Sequence, residues 1–232
     1  MGPAGPQGLQ GAASNVPGPA GPAGPAGPAG AASIEALNLT PCISIDGSPS
    51  TLQVSVGPDV NGSVSLKCPY TKTTKLVFIT STTFGGNLAG LAGADNQCQQ
   101  LANGANLSGT FKAWLSDSNQ SPSTRFAQYP NAYARVDGAF VALNWSGLIS
   151  GGLLNPIDRD ERGTAHLNED VWTNTAADGS RSSLGATNDC NEWTSTTASG
   201  EVGNADGVGG RWSFDLKGNG CWSQAALYCF QQ

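Results

Sequence analysis

The chain has 232 residues, 32 of them Gly and 14 Pro, with only 12% charged residues and a formal net charge of −6. So acidic a balance, with 11 Lys and Arg in all, argues against nucleic acid, heparin-like polymers and anionic membrane surfaces as partners. No apolar run is long enough to insert across a bilayer, and six cysteines, an even number, point to disulfides and an oxidising compartment.

The first residues are nearly all Gly, Pro and Ala. Gly falls at 2, 5, 8 and 11 and again at 18, 21, 24, 27 and 30, a G-X-Y period interrupted by Ser14-Asn15-Val16-Pro17. Only Gly fits at the crowded axis of three wound polyproline-II chains, so residues 1–32 read as a collagen-like arm and predict a homotrimer. A stiff monomeric linker is the lesser reading. Every proline in a complete triplet stands at X, which leaves no ordinary site for hydroxyproline. That points to a microbial or viral source, to low thermal stability, and to a neighbouring domain that trimerises the arm.

Residues 33–70 form a connecting module. Ser33 to Leu39 is a short helix or neck with Ile34 and Leu37 as its anchors. Alternating runs at 42–45, 52–56 and 63–66, with Asp46-Gly47 and Asn61-Gly62 as turns, predict a three-strand meander pinned by Cys42–Cys68. Spacing and stiffening, or a trimer contact, is its expected role.

The third domain, 71–232, opens with the strand Lys75 to Thr80. Leu91, Ala94, Cys98 and Leu101 mark one face of a helix over 93–103, with Asp95 in its first turn and Gly104 as its C′ glycine. Residues 110–115 follow as a strand. Cys98 then sits on a buried helix face, and Cys229 near the end of the chain is its best candidate partner. Beyond it come a hairpin around Asp137-Gly138, an irregular acidic stretch over 147–170, a strand at Val171-Trp172-Thr173 and a short element at 190–194. A buried strand over 225–230 closes the chain. The domain is α+β, with short strands, long loops and few helices.

Several segments carry a resemblance. GLAGADNQCQQ followed by GTFKAWLS is similar to the helix and strand of endostatin, the domain that ends certain animal collagens. VWTNTAADGSRS, NDCNEWTS and CWSQAALYCFQQ resemble three further endostatin segments in the same order, so the likeness covers about residues 75–232. The sequence also resembles a family of bacterial extracellular domains. Both are variants of the C-type-lectin-like fold. The resemblance implies nested disulfides, Cys98–Cys229 outside and Cys190–Cys221 inside. Endostatin's histidine-rich zinc site and arginine-rich heparin surface are not carried over: the one histidine is His166, and Arg125, Arg135, Arg159, Arg162, Arg181 and Arg211 are scattered.

Three chemistries deserve weighing. The acidic loop offers oxygen donors of the kind calcium needs, from Asp158, Asp160 and Glu161, with Asn188 and Asp189 as further ligands. Asn155-Pro156-Ile157 and Asn188-Asp189 resemble the calcium-site segments of sugar-binding C-type lectins only in part, and a solvated acidic loop is the plainer reading. Among the six tryptophans, Trp114, Trp172, Trp193, Trp212 and Trp222 fall in motifs matching the endostatin core, which leaves Trp145 as the candidate surface platform for stacking a ligand. Four glycosylation sequons begin at Asn38, Asn61, Asn106 and Asn144. No catalytic residues are expected: nothing near His166 forms a nucleophile elbow or metal triad, and the cysteines pair.

The sequence therefore predicts a secreted or cell- or virion-surface homotrimer, not an enzyme. Its C-type-lectin-like heads on a collagen-like stalk would act as an adhesin for glycan, matrix or cell-surface ligands. The alternative is a purely structural coat, spore or virion-fibre component.

Overall fold

The computed structural model describes residues 2, 4–11, 37–45, 48–56, 64–70, 73–183 and 188–232. Most of the G-X-Y arm, the neck residues 33–36 and the turns at Asp46-Gly47 and Asn61-Gly62 lie outside the described residues. Residues 4–11 have neither helix nor strand and are exposed.

The described residues are mixed α+β, mostly sheet with one long helix. The largest sheet holds β5 (Lys75–Ile79), β6 (Phe111–Ala113), β7 (Tyr133–Arg135), β8 (Phe140–Ala142) and β12 (Tyr228–Gln231), in the order β6-β12-β5-β7-β8. The first and last strands of the domain are thus antiparallel neighbours, with Cys229 opposite Phe78. Side chains alternate across a strand, and here both sides are buried. Val77, Ile79, Tyr228 and Phe230 enter one cluster with Trp114 and Trp212. Phe78, Leu227 and Cys229 enter a second cluster, under the helix. Trp114 centres the first, with its ring 4.8 Å from Trp212 and 5.2 Å from Phe230.

The helix α1 runs Gly90–Gly104 and buries Leu91, Ala94, Cys98 and Ala102. Leu101, expected on that face, is only half-buried. Asp95 lies past the first turn, and Gly104 is still helical, with Ala105 as the cap. The reason Asp95 matters is different from the dipole. Its carboxylate accepts the Ala113 amide at 2.9 Å and pairs with Arg125. One turn on, Gln99 Oε1 accepts the Phe111 amide at 2.8 Å. Two helix side chains therefore satisfy the outer edge of β6, which would otherwise expose unpaired donors.

A second sheet has the order β11-β10-β9, from β9 (Asp170–Trp172), β10 (Ser199–Asn204) and β11 (Lys217–Gly220). Three four-residue helices fill the loops: α2 (Pro122–Arg125), α3 (Trp145–Leu148) and α4 (Cys190–Trp193). All four residues of α4 have positive φ, from 52° to 58°, a left-handed turn that costs L-residues energy. It is held by the Cys190–Cys221 disulfide and by Asp189, whose side chain accepts the Glu192 amide. A Cβ at Gly86 would lie 2.2 Å from Cys190 Sγ, so the backbone approaches this disulfide as only glycine can.

The connecting module differs from the expected meander. It is two separate hairpins, β1 (Pro41–Ile43) with β2 (Pro49–Thr51) and β3 (Gln53–Val56) with β4 (Val64–Lys67). The extra strand β2 lies in Ser48-Pro49-Ser50-Thr51, whose lack of apolar alternation hid it. Three disulfides form, Cys42–Cys68, Cys98–Cys229 and Cys190–Cys221, and the described residues hold no free cysteine.

Candidate functional site

Trp145, expected at the surface, is 7% exposed. Asn144 caps α3 by accepting the Gly147 amide at 2.7 Å, which turns Trp145 and Leu148 inward together. The Trp145 ring packs 6.1 Å from Trp114 and 6.4 Å from Phe126. Only its edge reaches a surface recess, shared with Gln128, Tyr129 and Ser146. A stacking role for Trp145 is therefore replaced by a core role.

Trp222, expected in the core, is 76% exposed. Its neighbour Cys221 is fully buried in the inner disulfide, and the turn that follows β11 leaves Trp222 outside. The indole lies against the backbone of Gly220: a Cβ there would come within 2.3 Å of Trp222 Nε1. The ring is thus seated on peptide and presented to solvent. Ser199 is the residue directly paired with Gly220 across the β10–β11 ladder, and Gln224 is exposed two residues beyond the ring. Asn219 stands on the same strand, with its amide held to Asp170 at 2.8 Å. An open aromatic face, with the cross-strand Ser199 hydroxyl on the same side of the ladder, is what a stacked, hydrogen-bonded ligand uses.

The acidic loop is built otherwise than a cation site. Asp158 pairs with Arg135 and, at 2.8 Å, with Arg159. Arg135 also holds Asp137 through two bonds of 3.0 and 2.7 Å, which keep that carboxyl below the usual carboxylate range against partial burial. Asp160 is pushed up by burial, but the amides of Thr164 and Arg162 and the ring of His166 outweigh this and hold it low. Glu161 accepts the amide and hydroxyl of Ser81 at 3.1 and 2.5 Å, fastening the loop to the end of β5. Asp189 is occupied by Arg181 and by α4, and Asn188 offers its backbone carbonyl to Glu201. The oxygens proposed for calcium thus already serve protein donors. Among the described residues no group of three His, Cys, Asp or Glu is arranged to hold a metal ion. Asn155, beside Pro156, donates to Phe140 O at 2.8 Å, and Ile157 is core.

His166 lies between Asp160 and Glu169, at 3.2 and 3.7 Å. Sequence reasoning missed Glu201. Its carboxyl is 2% exposed, burial pushes it up, and only Ser182 opposes that shift. So enclosed a group cannot meet a substrate.

One comparison with known proteins bears on this. A family model described as a protein of unknown function (DUF1554) matches residues 81–208. The chain belongs to that family. The match takes in α1, the acidic loop and most of the second sheet, and ends before Trp222. No curated protein matches the chain. Among the described residues no helix is long and apolar enough to cross a membrane. A disulfide-linked domain of this kind is compatible with a secreted or surface protein.

Proposed function

We propose that this DUF1554 member is an extracellular or surface-displayed binding protein of adhesin type, not an enzyme, whose heads take a neutral glycan on Trp222. The seating of that indole on Gly220, open to solvent and beside Ser199, carries the reading. The net charge of −6 favours a neutral sugar over a sulfated one. A C-type-lectin-like fold for the head is supported by three features. Its first and last strands are paired, its helix is tied by Cys98–Cys229 to the last strand, and Cys190–Cys221 nests inside that link. The collagen-like period supports a homotrimer, in which three weak sites on one stalk gain avidity.

A panel of immobilised neutral and sulfated glycans, probed with the full chain and its Trp222→Ala variant, tests the reading. Binding to neutral sugars that falls by about tenfold or more in the variant, as for a tryptophan hot spot, is the expected result. Equal binding by both, or none by the wild type, would overturn it. EDTA is expected to change neither the binding nor the melting temperature. A calcium-dependent rise in either would return the acidic loop to the site.

A further inference from the structure

The connecting module has no interior of its own. Among its described residues only Ser44 is buried, and no hydrophobic side chain is. Two-stranded hairpins are marginal in water without a face to pack on, and this module has two of them and a single disulfide, Cys42–Cys68. Its aliphatic side chains face outward instead. Leu39 is 68% exposed, Ile43 67%, Ile45 54%, Val64 40% and Leu66 52%. Among the described residues the head, several times longer, leaves no more large hydrophobics exposed than this.

The exposure has a pattern. In the β3–β4 hairpin Val54 stands opposite Leu66, so Val54, Val64 and Leu66 share one face. The opposite face carries Gln53, Ser55, Ser65 and Lys67. In the first hairpin Cys42 and Ser50 are paired and turned to the disulfide side, where Ser50 donates to Pro69 O at 2.8 Å. Pro41 and Ile43 take the other face and are exposed. Each hairpin is amphipathic with its apolar face bare, and neither apolar face carries a charge. Such faces are interfaces waiting for cover.

The sequence says what covers them. On the trimeric reading of the G-X-Y period, three parallel chains would deliver the residues that follow Gly30 as three copies side by side. The module begins within a few residues of that point. We propose that the apolar faces of β1 and of the β3–β4 hairpin pack against the same module in two further copies of this chain. They would form the trimerisation seat that registers the collagen-like arm. The inference rests on the trimeric reading above and adds its interface: Ile43, Ile45, Val64 and Leu66 supply the buried core that a single chain lacks. An arm with no proline at Y has little stability of its own, and such a seat would nucleate it.

Sedimentation of the full chain tests this, with circular dichroism of the collagen signal, on the wild type, the double variant Ile43→Ser/Leu66→Ser, and Leu216→Ser. Leu216 is an equally exposed apolar residue on the head. The wild type and Leu216→Ser are expected to be trimers with a collagen-type melt. The double variant should associate about 100-fold more weakly or worse, from the lost apolar burial in each chain, and lose that melt. Peptide mapping of Cys42–Cys68 and the melting of the head check that the variant still folds. A trimeric wild type with an equally stable trimeric double variant would overturn the seat and leave the trimer standing. A wild type that is monomeric or dimeric at every concentration would overturn both.

Discussion

The head and the connecting module are both disulfide-pinned and rich in short strands, yet they solve opposite problems. In the head a five-stranded sheet is covered on both faces, by α1 and the inner disulfide on one side and by a tryptophan cluster on the other. In the module the strands are as short, but among the described residues nothing covers them. Short strands are thus neither stable nor unstable in themselves. What differs is whether alternate side chains find a second layer, which for the module we propose comes from further copies of the chain.

Perturbing the head should cost most. Replacing both cysteines of the outer link, Cys98→Ser/Cys229→Ser, reopens a separation of 131 residues. In the chain-entropy picture that removes about 5 kcal/mol, read as a large drop in urea midpoint or as failure to fold. Trp114→Ala opens the centre of the aromatic cluster and is expected to cost about 3–5 kcal/mol in the same assay. Glu201→Gln should go the other way. The folded carboxyl titrates above its ordinary value, so wild-type stability falls as pH rises from that value through the raised one. The variant should melt higher at neutral pH and lose that part of the pH slope, and a lower melting temperature at neutral pH would refute the argument. The module should be energetically separate: Cys42→Ser/Cys68→Ser is expected to leave the melting of the head unchanged. Smallest of all, Trp222→Ala should alter head stability by no more than about 0.5 kcal/mol, as a surface change. A larger loss would mean the indole supports the fold and is not free to bind.

Much of the head could be read from its residues. The unbroken apolar run Leu76-Val77-Phe78-Ile79 reports a strand buried on both sides, and the three-and-four spacing of Leu91, Ala94 and Cys98 reports a buried helix face. Strand β10 could not be read that way. Its sequence Ser199-Gly200-Glu201-Val202-Gly203-Asn204 has small residues because the chain passes close to other groups, and Val202 is its one large apolar side chain. The tryptophan exchange has a signal in hindsight. Trp145 and Leu148 share the i, i+3 spacing of a buried helix face behind a capping Asn144, while Trp222 sits in the turn after Gly220, where no periodicity reports burial. The acidic loop was misleading for another reason. The partners of Asp158 include Arg135, 23 positions away, which no local pattern reveals. Glu201, too, is enclosed only by the fold.

Hydrogen exchange on the full chain and on its Ile43→Ser/Leu66→Ser variant measures the contrast between the two regions directly. Amides of β5 and β12 should exchange only by global unfolding in both proteins. Those of β3 and β4 should be protected in the wild type and exchange freely in the variant, once the covering copies are gone. Module amides as slow in the variant as those of the head would contradict the account, because the hairpins would then be stable in a single chain.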